Sequence, residues 1–253
     1  MLFRANISLL RVLWLVLKSL KGLFGFLTIV PVGMESIEVI CKYFFLCPIV
    51  GLVIGIVAGA VGFASNFFLP NLISGFLVLV SIQLLTGFHH LDGLLDLSDA
   101  AMARGNTKRR LEVMHDMYTG AAAVASGFIV LALTGLAFGQ FSGLEILKAA
   151  VVAEVVAKES MVLIAYLGKT PAYEGMGYYV VKSMKNKHLE ALCSLLLCAV
   201  VGFVLVLAAM GVAVAILTSY SNKTLECVTG DVMGATNEIN RMIALIMILA
   251  VMV

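Results

Sequence analysis

Runs of about 20 mostly apolar residues, the length a helix needs to cross a bilayer, recur near 44–64, 72–88, 120–138, 146–167, 191–217 and 235–253. The first carries Pro48 and several glycines, which membrane helices tolerate better than soluble ones. Composition agrees with the pattern. The 253 residues are 62% hydrophobic and 13% charged, with mean hydropathy +1.07, whereas soluble domains hold about 45–50% apolar and about 25% charged residues. A water-soluble core of this size has nowhere to hide so much apolar surface, so lipid must be part of the solvent.

The run at 191–217 is long for one crossing, and predicts either a tilt or a break near Gly202 or Gly211. The connections at 65–71 and 139–144 carry no Lys or Arg. Those at 89–119 and 168–188 carry Arg104, Lys108, Arg109, Arg110, Lys169, Lys182, Lys185 and Lys187, which assigns them to the cytoplasmic side of a cell membrane. At the amino terminus Arg4, Arg11 and Lys18 share one helical stripe opposite Leu9, Leu13, Val16 and Leu20. That suits a helix lying in the interface better than a cleavable signal. The fold expected is therefore all-α: a polytopic integral membrane helical bundle of about six spans. An interfacial amphipathic helix covers 1–30, an Asp-rich cytoplasmic helical hairpin covers 89–119, and 1–253 form one domain.

The chemistry concentrates in His89–Gly120. Asp92, Asp96 and Asp99 recur at i, i+4 and i+7, on one helical face. Three like charges there call for a cation, and oxygen-only ligands suit Mg²⁺, which takes one or two carboxylates and completes its shell with water and phosphate oxygens. Gly105 and Asn106 read as a turn. Beyond it Arg109, Glu112 and Asp116 are spaced to place Asp116 beside the carboxylate face, and Lys108, Arg109 and Arg110 supply cations for phosphate. Metal ligands expected are Asp92, Asp96, Asp99 and Asp116; catalytic groups are Asp92, Asp96 and His90. Carboxylates beside basic groups are what transfer at a pyrophosphate requires. Against this stand plainer roles: a solvated acidic face, and Asp92 before Gly93 as a helix cap.

Other polar features are less specific. Glu154, Lys158 and Glu159 interrupt an apolar run, where ionisable groups need a partner or a cavity; Glu154 and Lys158, four apart, can pair. Cys41, Cys47, Cys193, Cys198 and Cys227 form no CxxC pair and read as small buried hydrophobes. A net charge of +2 without a basic, aromatic-rich tract gives no reason to expect nucleic acid. A cation transporter would carry its acidic ligands at mid-membrane on broken helices, and no HExxH supports a metalloprotease. Another Mg²⁺-dependent membrane transferase acting on a diphosphate fits the residues equally well.

His90-Leu91-Asp92-Gly93-Leu94, with Asp96, Asp99 and then Arg109 through Glu112, Asp116 and Gly120, resembles the cobalamin synthase family, the adenosylcobinamide-GDP ribazoletransferases. Phe26-Leu27-Thr28 with Pro31, Glu174-Gly175-Met176-Gly177 and Thr229-Gly230-Asp231-Val232-Met233-Gly234-Ala235, followed by Glu238, resemble further islands of that family, in its order. Departures fall at Ile29, Ala100, His115, Met117, Lys158 and Ala172, and leave the carboxylates intact. The resemblance implies joining of adenosylcobinamide-GDP to α-ribazole or its 5′-phosphate. The ribazole 3′-hydroxyl attacks the cobinamide-bound phosphorus and GMP leaves, in a Mg²⁺-dependent phosphotransfer. It also implies substrate contacts by Lys108, Arg109, Arg110, Glu112, Thr229, Asp231 and Glu238. The partners implied are membrane lipid, other corrinoid-pathway enzymes and further copies of the chain. One difficulty is topological: if 191–217 crosses once, Asp231 begins on the side opposite the Asp-rich segment.

Overall fold

The structure, a computed structural model, describes residues 2–33, 35–201 and 204–252, with the side chains of 2–13 outside the description. In chain order its helices are α1 (Leu2–Leu27), α2 (Ile37–Lys42), α3 (Cys47–Ser65), α4 (Asn71–Leu85), α5 (His89–Met102), α6 (Thr107–Met114), α7 (Ala121–Phe138), α8 (Leu144–Leu167), α9 (Met176–Met184), α10 (His188–Val201), α11 (Val204–Tyr220) and α12 (Gly230–Met252). A turn of 3₁₀ helix precedes α3, and a π-helical turn, Ser221–Leu225, ends α11. No strand occurs among the described residues, so the all-α expectation holds.

Helix α8 is the axis of the bundle, buried along most of its length and packed chiefly on α3 and α12. The glycines of α3 explain how closely it approaches. A Cβ at Gly55 would lie 2.6 Å from Val151 Cα, and one at Gly59 2.8 Å from Leu147 Cα, both on α8. Small residues every fourth position let two helix backbones meet, which is the main source of helix association in lipid.

Four helical segments are long and apolar enough to cross a membrane: Phe44–Ser65, Ala121–Phe138, Val204–Leu225 and Gly230–Met252. The pair α4 and α5 would make a fifth if counted as one span, but bends by 91°. The run near 146–167 fails that test because Glu154, Lys158 and Glu159 lie within it. The 91° corner has a local cause: Gly87 and Phe88 are both left-handed, at φ 62° and 61°, a pairing that helical backbone cannot continue. Helix α5 therefore turns across one end of the bundle.

The run at 191–217 is not one crossing. His188, at the start of α10, hydrogen-bonds Tyr166 near the end of α8, and Ser194 reaches Glu159 one stage further along α8. After α11 the chain is back at that same end, where Asn222 Oδ1 accepts the Lys169 N–H at 2.9 Å. Helices α10 and α11 thus run out and return, and α12 starts at the end of the bundle that carries α5. That removes the difficulty over Asp231.

Helix α1 is continuous, but the expected stripe of Arg4 and Arg11 lies outside the described side chains. Lys18 and Lys21 pair with Glu35 at 3.2 and 3.8 Å, and Leu23 and Leu27 are buried. All five cysteines are free, and Cys193 is exposed rather than buried.

Candidate active site

Three separate stretches of sequence are drawn together by glycines at the end of the bundle. A Cβ at Gly93 would sit 2.8 Å from Asp231 Cα, one at Gly177 2.7 Å from the Gly230 nitrogen, and one at Gly234 3.2 Å from His90 Cα. The first two contacts are closer than any side chain permits. They seat α5 and the start of α9 directly on the first turn of α12. Thr229 supports that turn, its Oγ1 accepting the Val232 N–H at 3.2 Å, as an N-cap does. Asp92, Asp96 and Asp231 consequently face one another across the α5–α12 contact.

Asp92 is exposed, and Asp96 and Asp231 are half-buried. The Asp96 carboxyl is pushed up to about 7, first by burial and then by the negative charges of Asp92, Asp231 and Asp99. No Lys or Arg pairs with Asp92, Asp96 or Asp231 among the described residues. Such a set is short of positive charge. Among the described residues no three His, Cys, Asp or Glu side chains close a metal site by themselves. Carboxylate oxygens are by chemistry the donors a hard ion such as Mg²⁺ takes, one or two at a time beside water and phosphate oxygens.

The other expected acids sit elsewhere. Asp99 accepts the Gly120 and Ala123 N–H groups, the latter at 2.9 Å, capping the amino end of α7. Asp116 is not on α6, which ends at Met114. It occupies the next turn, where it accepts the Tyr118 N–H at 3.3 Å. Asp116 is expected on a second helix beside the carboxylate face; the helix stops short of it, and of that face it shares a cleft with Asp99 alone. Asp116 and Asp99 instead line a cleft of about 480 Å³ with Arg104 and Arg109.

The hairpin itself forms where the sequence places it. Gly105 is left-handed at φ 125°, and Asn106 caps α6 by accepting the Arg109 N–H at 3.1 Å. Arg109 and Glu112 pair at 3.4 Å with both side chains open to water. Arg110 turns inward and donates to the carbonyls of Ala100 and Ala101 at 3.0 and 2.8 Å, closing the carboxyl end of α5. It is tied to the backbone rather than free for phosphate. Lys108 and Glu112 line a third cleft, about 700 Å³, with His115, Tyr173 and Glu226. His115 Nε2 lies 3.1 Å from the Tyr173 hydroxyl.

His90 is 6% exposed, and its Nε2 has no partner among the described residues. Burial first, then the positive charges of Lys158 and Arg241, hold its ring well below the usual imidazole range, so it is neutral. Glu238 corrects an expectation. It is 1% exposed, bound by Arg241, by Gln83 Nε2 at 2.8 Å and by Asn237 Nδ2 at 3.2 Å. It is a packing residue of α12 and lines none of the described clefts. Glu35, Arg104 and Tyr173 border the clefts without having been singled out. Arg104 lies within the Asp-rich segment and Tyr173 directly before Glu174-Gly175-Met176-Gly177, whereas Glu35 belongs to no motif and only three-dimensional proximity shows it.

Fold and site together define a polytopic helical membrane protein with an acidic patch at one end of its bundle and, beside it, clefts of mixed charge that hold Arg104, Arg109 and Lys108. Residues 19–249 match the family model described as cobalamin-5-phosphate synthase, and the chain belongs to that family. It is 32% identical to the adenosylcobinamide-GDP ribazoletransferase of Methanococcoides burtonii, with 92% of each chain covered. It is 32% identical to that of Methanosarcina mazei, over 92% of this chain and 91% of the relative. With the Methanosarcina barkeri protein of the same name it shares 33% identity, over 93% and 92%. No solved structure matches the chain.

Proposed function

We propose that this chain is an adenosylcobinamide-GDP ribazoletransferase, joining adenosylcobinamide-GDP to α-ribazole or its 5′-phosphate with release of GMP. The observation that carries this reading is the convergence of Asp92-Gly93, Gly175-Met176-Gly177 and Thr229-Gly230-Asp231 on one patch. Two of the three stretches bring carboxylates, Asp92 and Asp231, to the rim of one cavity, and the third closes against them through Gly177.

Asp92 and Asp96, with Asp231 across the helix contact, would hold Mg²⁺, which would supply positive charge against the pyrophosphate and the departing GMP. Arg109 and Arg104 line the cleft beside α5 and offer guanidinium donors to phosphate oxygens. Lys108 offers a point charge on the other side of α6. In the transfer the ribazole 3′-oxygen bonds to the cobinamide-bound phosphorus, the bond from that phosphorus to the GMP oxygen breaks, and the hydroxyl proton is released. A loose transition state demands little of a base. Carboxylates and cations at one end also fit a cytoplasmic placement, since the basic connections lie at that end.

The test is direct. Protein purified into lipid bilayers, given adenosylcobinamide-GDP, ribazole 5′-phosphate and Mg²⁺, should release GMP and a cobalamin 5′-phosphate in equal amounts. Cation flux across those bilayers with no GMP formed would instead mark a transporter.

A further inference from the structure

Beside the carboxylate patch, at the amino end of α5, a cavity of about 580 Å³ opens between α1, α2, α5, α8, α9 and α12. That is within the range of small-molecule sites, about 300–1,000 Å³. We propose that this cavity receives the flat, uncharged heteroaromatic base of the ribazole acceptor, with its ribose turned toward Asp92 and Asp231. The inference rests on the transferase reading and adds to it where each substrate goes.

Shape and charge argue together. Leu27, Ile40, Phe44, Met161 and Met233, all buried, give the cavity apolar walls, and methionine sulfur and aromatic edges pack well on a planar ring. None of the described residues lining it is Lys or Arg, while Glu35, Asp92 and Asp231 place carboxylates on its border. Lys18 and Lys21 pair with Glu35 from an adjoining cleft with Trp14, and Glu35 lines both. Guanidinium donors for a diphosphate, Arg104 and Arg109, line instead the cleft at the carboxyl end of α5, beside Asp99 and Asp116. A benzimidazole-type base has one ring nitrogen to satisfy, and His90 lines the cavity with Nε2 unpartnered. The acceptor and the GDP-linked substrate would thus approach the carboxylates from the two ends of α5.

Ile37 lines the cavity from α2 and is only partly buried, so it can be changed with little cost to folding. Ile37→Trp should raise the Michaelis constant for ribazole about tenfold or more, the size of a pocket misfit, and leave that for adenosylcobinamide-GDP within about twofold. Ile37→Ala should act oppositely, favouring ribosides of bases larger than dimethylbenzimidazole; this holds the test open if the bulkier variant inserts poorly. Acceptor constants and base preference unchanged in both variants, with wild-type turnover intact, would overturn the cavity assignment and leave the transferase reading standing. Wild-type protein that binds ribazole but forms no GMP would overturn the transferase reading instead.

Discussion

Two sets of ionised side chains lie within a few helical turns of each other and are solved in opposite ways. Within the bundle, Glu154 holds Arg241, and also Lys158 at 3.3 Å. Lys158 donates to Asn237 at 2.8 Å, and Arg241 returns to Glu238. All four charged groups are at most 1% exposed, and two carboxylates face two cations. At the end of the same helices Asp92, Asp96 and Asp231 stand together with no cation paired to them. Buried charges survive in a bundle only when matched, because desolvation otherwise outweighs what they gain. A matched set spends its charge on holding α12 against α8 and α4. An unmatched set is left for something that arrives.

Breaking the matched set should have the largest effect. Arg241→Ala would leave Glu154 and Glu238 buried without their cation, at a cost of about 3–5 kcal/mol; thermal unfolding in detergent should show a severely destabilised protein. Equal melting temperatures for variant and wild type would mean that the network does not clamp α12. At the unmatched patch the expectation reverses. Asp92→Asn or Asp96→Asn should lower turnover by at least about 10²–10³-fold while melting is unchanged or raised, since repulsion is relieved. Either variant working at the wild-type rate would remove the carboxylates from the mechanism.

Asp99 divides the two behaviours. It touches the patch electrostatically yet caps α7, so Asp99→Ala should cost about 0.5–2 kcal/mol of stability and leave the turnover of folded protein near that of the wild type. A loss as deep as that of Asp92→Asn would put Asp99 among the metal ligands after all. The smallest effect belongs to Arg109→Ala. Loss of this exposed side chain should raise the Michaelis constant for the GDP-linked substrate several-fold, roughly what one charge-assisted contact gives, and raise that for ribazole less; equal effects on both would argue against a phosphate clamp.

Proton linkage sharpens the contrast. Asp96 is raised to about 7 in the folded protein, against about 3.9 for a free aspartate. Its contribution to stability is fully present below the lower value and is lost as pH rises through the higher one. The metal-free protein should therefore become easier to unfold from pH 6 to pH 8. Mg²⁺ competes with that proton, so its apparent affinity should increase over the same interval and level off above it. Calorimetric titration with Mg²⁺ at several pH values checks this; an affinity independent of pH would separate Asp96 from the ion.

Much of this was legible in the sequence. The α5–α6 hairpin and its Gly105–Asn106 turn depend on neighbours within a few residues, so spacing alone locates them. Asp92 and Asp96 lie four apart on one helix and had to share a face. The pairing of Glu154 with Lys158 is legible for the same reason. What misled was local reasoning carried past its range. Helical spacing extended to Asp116 fails because α6 stops at Met114, and Glu238 was read by its neighbours in sequence when its true partners, Gln83 among them, lie on other helices.

By itself, then, the sequence determined the solvent and the helices, because apolar run length decides whether a segment can sit in lipid. It also determined which short segment concentrates acids and bases. Only the tertiary structure decided that α10 and α11 run out and back, and so that Asp231 meets Asp92. Hydropathy is nearly the same for one long helix as for two that return, and glycine contacts between distant residues, such as Gly93 on Asp231, leave no local trace. The division between charges that hold the bundle and charges left free was decided there too, because a side chain's role depends on which partner another element delivers to it.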